Sequence, residues 1–283
     1  MTPRVDEYHF TVPFTTEDEL RLFVEVAFGI GIPATRVCPH HTTPWRAFAD
    51  AYFARSRVAV WKASRGFGGK TFLLALLATV EAATLGADVN VLGGSGEQSR
   101  RVLEHAQNLW TQASAPRELL TGAVQQETRF RRGNKMRALL ASQASVRGPH
   151  PQRLRLDEVD EMDLAILDAA LGQPMEAATG IAVQTVLSST HQYSDGTMTE
   201  VLRRAAEREW PVYEWCYHET MQPHGWLRAA EVEGKRGDVT AVMWQVEYDL
   251  QEPSPEARAI LPEAVARMFD RRTGEFEGRP AEY

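Results

Sequence analysis

From about residue 57 the chain alternates short β-rich runs with helical ones. Arg57-Val58-Ala59-Val60-Trp61 predicts a strand, and Gly69 to Leu85, apolar nearly all round, predicts a helix buried against a sheet. Asp88 to Leu92 reads as a second strand and Gly96 to Ala113 as an amphipathic helix. Thr128 to Arg132 and Lys135 to Leu140 are β-rich arms around Gly133-Asn134, a hairpin signal. Arg153 to Leu156 is a strand ending in acids, and Ile181 to Leu187 is another ending in Ser188-Ser189-Thr190-His191. Such alternation is the pattern of a mainly parallel, helix-flanked sheet. Ahead of it, Glu17 to Phe28 and Pro44 to Ala54 read as helices. After Trp210-Pro211 the rhythm breaks, although Val212 to Tyr217 could add one more strand. Three regions are expected: an N-terminal helical extension (1–56), a core (57–211), and a small lid-like subdomain running into a linker (212–283).

One strand breaks its own rule. A buried parallel strand should be almost wholly apolar, yet Arg153 and Arg155 alternate with Leu154 and Leu156. Either that face is partly open, or Arg155 pairs with an acid.

Composition narrows the class. No apolar run approaches the ~20 residues that cross a bilayer, and the N-terminus lacks a secretory pattern. The formal net charge is −7, so any nucleic-acid contact must be local. Two cysteines, Cys38 and Cys216, exclude a disulfide framework and suit a reducing compartment. Cys38-Pro39-His40-His41 suggests a metal site, but no second ligand pair follows at a zinc-like spacing, and the segment reads as a polar loop.

The sharpest chemical signal is Ser64-Arg65-Gly66-Phe67-Gly68-Gly69-Lys70-Thr71. It matches the phosphate-binding loop G-x4-G-K-[ST], with Ser64 in place of the first glycine. It lies between a strand and a helix, where the physics requires. Gly66, Gly68 and Gly69 let backbone amides turn toward phosphate oxygens, and the helix start adds partial positive charge. Lys70 would bridge the β- and γ-phosphates of ATP, and the Thr71 hydroxyl would hold Mg²⁺.

The second signal is Leu154-Arg155-Leu156-Asp157-Glu158. An Asp at the tip of a strand next to the P-loop strand anchors Mg²⁺, and an adjacent Glu can polarise a water for attack on the γ-phosphate. Read alone, Asp-Glu here is weak, because it also suits a solvated helix start.

With its P-loop, Asp157-Glu158 pair and later Ser-Ser-Thr at these spacings, the chain resembles the ATPase half of the large terminases of tailed bacteriophages. The likeness covers about residues 40 to 270. Asn90 to Ser95 with Glu97-Gln98-Ser99, the Gly133-Asn134 hairpin, and Arg147-Gly148-Pro149-His150-Pro151 are similar as well. The resemblance implies a P-loop NTPase α/β fold of the additional-strand type with a lid subdomain. It implies a ring of subunits on a portal protein, working with a small terminase subunit to drive double-stranded DNA into a procapsid in the host cytoplasm. An isolated subunit could be monomeric, and no membrane is involved. Mapped residue by residue, Ser64 to Thr71 hold the nucleotide, Thr71 and Asp157 the metal, and Glu158 is the catalytic base. Ser189-Thr190 map to a coupling motif that reports nucleotide state.

There are departures. Terminases commonly carry an Arg four residues before the P-loop Lys, whereas Arg65 is five before Lys70. Arg65 and Arg147 are the two arginine-finger candidates. The family's adenine-binding Gln has no clear match, and Trp45 or Phe48 could stack on the base instead. The chain stops where the terminase nuclease domain would begin, so no DNA cleavage by this polypeptide is expected.

Arg129, Arg131, Arg132, Lys135 and Arg137 lie on the predicted hairpin. They could grip DNA phosphates without regard to sequence, or they are an ordinary charged hairpin tip. Rival functions are a helicase-like motor, for which no second motor domain fits after residue 211, a small-molecule phosphotransferase, and a nucleotide-binding assembly subunit without significant hydrolysis.

Overall fold

In a computed structural model of the chain, the described residues are 13–124, 126–139, 150–176 and 180–254. Helix α1 (Glu17–Phe28) starts at a capping box in which Thr16 and Glu19 satisfy each other's amides, and it stops at left-handed Gly29. α2 (Pro44–Tyr52) is capped by Thr43, with proline at the first helical position.

The sheet begins with β1 (Val58–Ala63). α3 (Lys70–Val80) follows and continues as a π-helical turn, Glu81–Leu85, so the predicted helix keeps its length but loosens its last turn. Next come β2 (Val89–Gly93) and α4 (Gly96–Leu109), the latter shorter than its periodicity suggests. β3 (Leu120–Val124) was invisible to pattern reading; its Leu-Thr-Gly-Ala-Val sequence is mostly exposed and carries no clean alternation. β4 (Glu127–Phe130) and β5 (Lys135–Leu139) form the predicted hairpin, turning through Gly133 at φ 85°. β6 (Arg153–Asp157), α5 (Leu164–Leu171), β7 (Gln184–Ser189), α6 (Thr197–Arg208) and β8 (Val212–Trp215) complete the pattern. Helices α7 (Tyr217–Thr220) and α8 (Ala229–Asp238) follow, and then a short helical stretch, Ala241–Met243, that runs on as a π-helical turn, Trp244–Tyr248.

The eight strands lie in the order β3-β4-β5-β2-β6-β7-β1-β8. The pairs β5–β2, β2–β6, β6–β7, β7–β1 and β1–β8 are parallel, and only the β4 pairings run antiparallel. This order corrects one expectation: the Asp157 strand is not adjacent to the P-loop strand. β7 lies between β6 and β1, which is the additional strand of the expected fold class, and it brings Ser189 and Thr190 between the two motifs.

Alternating side chains send each strand into two cores. Ala59, Trp61, Val89, Val91 and Val186 face the cluster built with α1 to α4. Val60, Leu92, Leu154, Leu156 and Leu187 face the cluster under α5 and α6. Arg153 and Arg155 point into the first of these, so that face is closed. The acid expected to pair with Arg155 is Glu81, in the π-helical turn: Arg155 Nε donates to Glu81 Oε2 at 2.9 Å, and a second guanidinium nitrogen bonds Oε1. Arg153 Nε stands 3.4 Å from the same carboxylate. A third, smaller cluster gathers Cys216, Tyr217, Leu227, Val232, Trp244, Tyr248 and Leu250, with Phe67 packed on it. Among the described residues no helix is long and apolar enough to cross a membrane.

Candidate active site at the P-loop

The parallel strands bring β1, β6 and β7 to a common C-terminal edge, and the chemistry-bearing residues sit at their tips. Between β1 and α3 the loop turns through Gly66 and Gly69, both left-handed, with Gly69 as the helix N-cap. Gly68 is required for closeness: a Cβ there would lie 2.8 Å from the Ser64 carbonyl oxygen and 3.0 Å from Ala63 Cβ. The loop is braced from outside. Ser64 Oγ donates to the Tyr248 carbonyl at 2.6 Å, Trp215 Nε1 to Gly68 O at 2.8 Å, and Thr220 Oγ1 to Phe67 O at 2.8 Å. Phe67 faces the Trp244 and Tyr248 rings, and Trp226 covers Gly69. Ser64 and Phe67 thus hold the loop's shape from the protein side.

Lys70 Nζ is buried beneath the loop, donating to Thr190 Oγ1 at 2.9 Å and to the carbonyls of Ala63 (3.2 Å) and Ser64 (3.4 Å). It stands 4.0 Å from Glu158 Oε1. Thr71 Oγ1 donates to Asp157 Oδ2 at 2.6 Å. The other Asp157 oxygen, Oδ1, is buried and has no hydrogen-bond partner. Burial pushes the Asp157 carboxyl up to about 6, with the adjacent Glu158 charge adding to the rise and Thr71 and Lys70 opposing it. Glu158 adopts a left-handed backbone at φ 52°, uncommon for a non-glycine residue and frequent where function dictates geometry. Ser189 Oγ accepts from the Asp160 amide at 3.1 Å, tying β7 to the turn that follows Glu158.

These groups border a pocket of about 340 Å³ lined by Arg65, Gly66, Thr71, Gln98, Arg101, Asp157, Glu158, Glu161 and Gln192. Lys70, Thr71, Asp157, Glu158 and Thr190 therefore converge. Arg65 lines the pocket while its guanidinium pairs with Glu247 at 2.7 Å. Arg101 was missed by sequence reading. It follows from the topology, since α4 starts at the same sheet edge; its guanidinium pairs i,i+4 with Glu97.

Other expectations fall elsewhere. Arg147 lies outside the described residues. Trp45 and Phe48 do not offer a face to a base: Phe48 is wholly buried, Trp45 stacks on it, and Arg21 sits over Trp45. Their helix is amphipathic, and its aromatic face was spent on the core. The hairpin residues lie on the far side of the sheet from β1. Arg129 and Arg137 both pair with Glu127 at 2.6 Å, Arg132 donates to Thr84 O at 3.0 Å, Arg131 is exposed and Lys135 half-buried. Cys38 to His41 do lie in a loop, but the fold supplies the second pair that was not found by spacing: Cys216 and Glu219 lie against Cys38 and His41. The partner pair is Cys-x2-Glu, and the acid disguised it.

Comparison with solved structures decides the fold. The large terminase of bacteriophage HK97 superposes with a TM-score of 0.63 at 15% identity, over 84% of this chain and 56% of that one. The chain has the fold of the large-terminase ATPase domain. The large terminase of the thermophilic bacteriophage D6E in complex with ATP-γ-S aligns at a TM-score of 0.51 and 12% identity, over 67% of this chain and 46% of that one. The Thermus phage P74-26 large terminase ATPase domain aligns at 0.50 and 14% identity, over 85% of this chain and 98% of that one. The chain thus spans about half the length of the HK97 and D6E terminases and nearly all of the P74-26 ATPase domain. No protein-family model and no curated protein matches the sequence.

Proposed function

We propose that this chain is the ATP-hydrolysing motor domain of a viral large terminase, coupling Mg-ATP hydrolysis to movement of double-stranded DNA into a procapsid. The observation that carries the proposal is the meeting of Thr71 and Asp157 at 2.6 Å, flanked by Lys70 and Glu158. The fold of large-terminase ATPase domains supports it, as does a D6E structure of that fold in complex with ATP-γ-S.

The residues present fit Mg²⁺, which takes hard oxygen ligands and one or two carboxylates. Thr71 Oγ1 and the Asp157 carboxylate, one of whose oxygens is buried without a partner, would hold it. Bound there, the ion would neutralise charge on the phosphates. Lys70, already buried under the loop, supplies a second positive charge without needing to be desolvated at the moment of reaction. Glu158, a quarter exposed and beside the pocket, orients the attacking water and accepts its proton. Thr190 binds Lys70 and Ser189 binds the Asp160 amide, so β7 is placed to pass a change at the phosphates to α6 and beyond. Arg65, or Arg147 from the same or a neighbouring subunit, offsets charge on the γ-phosphate; for Arg65 this means leaving Glu247. The basic hairpin contributes sequence-independent contacts to DNA. On this reading the protein works in the host cytoplasm as a ring on the portal protein, with the small terminase subunit as partner.

The test is ATP turnover across a series of protein and salt concentrations, with and without double-stranded DNA. Turnover should rise with protein concentration and with DNA, and salt should erase the DNA effect. Turnover indifferent to DNA at every concentration would remove the motor reading while leaving the ATPase.

A further inference from the structure

At the third hydrophobic cluster, on which Phe67 of the P-loop packs, four side chains from two distant parts of the chain come together. Cys38 and His41 come from the loop between α1 and α2; Cys216 and Glu219 come from the end of β8 and the start of α7. Their ligand atoms all lie within 4.8 Å of one another. We infer that Cys38, His41, Cys216 and Glu219 form a structural binding site for zinc, or for a divalent ion of similar softness.

The spacing within each pair is the first argument. Cys38-x2-His41 and Cys216-x2-Glu219 are two short-spaced ligand pairs, as in structural zinc sites, with a carboxylate in one of the four positions. Distances are the second. The two sulfurs stand 3.7 Å apart, too far for a disulfide, whereas Zn–S bonds of about 2.3 Å at the tetrahedral angle separate two sulfurs by about 3.8 Å. His41 Nδ1 and Glu219 Oε2 are 3.0 Å apart, against about 3.3 Å for an N/O edge of the same tetrahedron. Small adjustments would admit the ion.

The surroundings are the third. Glu219 is fully buried, and its carboxylate is oriented by the Cys38 amide at 2.7 Å and the Cys216 amide at 2.9 Å. Ligand carboxylates are typically fixed by such outer hydrogen bonds. Without an ion His41 Nδ1 donates to Glu219 Oε2 at 3.0 Å; metal binding would replace that proton, which can move to Nε2, 3.7 Å from Glu214 Oε1. Two thiolates select zinc over magnesium or calcium. Four protein ligands in a mostly buried cluster leave no position for substrate, so the role is structural. Binding would release the two thiol protons to solvent and join segments 178 residues apart. The joined segment is the one whose Trp215 and Thr220 hold the P-loop carbonyls of Gly68 and Phe67.

The experiment is metal analysis of the purified full chain, followed by cobalt substitution of the native protein. One zinc per chain is expected to survive dialysis. The cobalt form should show thiolate-to-cobalt charge transfer and the intense visible bands of a tetrahedral site. Cys38→Ser with Cys216→Ser should lose the retained zinc and both signatures. If the double variant fails to fold, the spectrum of the native protein still decides the matter. Two free thiols with no metal retained after exposure to zinc would overturn the inference, and so would a Cys38–Cys216 disulfide detected by mass. None of these readouts involves ATP, so the result stands apart from the motor reading.

Discussion

Thr71 Oγ1 lies 2.6 Å from Asp157 Oδ2, although 86 positions of chain separate the two residues. One ends the P-loop and the other ends β6, two strands away from the P-loop strand. Parallel strands of matched register carry both to the same edge, where Lys70 and Glu158 stand 4.0 Å apart. From this convergence, together with the packing behind it, several outcomes are expected.

Asp157→Asn should stabilise the protein in buffer free of nucleotide and magnesium while abolishing turnover. The folded-state carboxyl is raised from 3.8 to about 6, chiefly by burial. The stability that its protonated form retains is therefore present below about pH 4 and lost as pH rises through about 6. A neutral amide that still accepts from Thr71 avoids that loss, by about 1–3 kcal/mol at pH 7. Thermal unfolding of both proteins between pH 3 and 8 checks this: the curves should diverge between about pH 4 and 6, run parallel above about 6 and approach each other below about 4.

Glu81→Ala should destabilise the chain by about 3–5 kcal/mol, because it leaves two buried guanidinium groups with no carboxylate. Replacing Glu81 and Arg155 together by apolar residues of similar volume should recover most of the loss. Urea unfolding of the single and double variants measures both.

Gly68→Ala should weaken ATP binding at least tenfold, about 1.4 kcal/mol. The new methyl meets the Ser64 backbone, which cannot move without reshaping the phosphate loop. Gly122→Ala, where nothing lies within 4 Å of the added atom, is the control and should bind ATP normally. Titration with a fluorescent ATP analogue distinguishes them.

Much of this was legible in the sequence because it is local. The Gly-rich turn between strand and greasy helix, the Gly-Asn hairpin and the acids ending β6 are each written within a few residues. What was hidden depends on contacts across the sheet. The order of β6, β7 and β1 follows from pairing, which no single strand encodes. Arg155 looked out of place because its partner, Glu81, reads as a polar break in a helix 74 residues away. Arg101 comes to the pocket only because the topology sets α4 beside the P-loop. Trp45 and Phe48 were attractive as base platforms only while their burial was unknown, and Cys38 lacked a partner pair until β8 delivered Cys216.

The most direct test of the site compares ATP binding and Mg-dependent hydrolysis in the wild-type chain and in Glu158→Gln. The expected result is hydrolysis by the wild type, with turnover at least a hundredfold lower in the variant and ATP affinity within a few-fold of normal. Equal turnover in the two proteins would show that Glu158 is not the base at this site and would contradict the account.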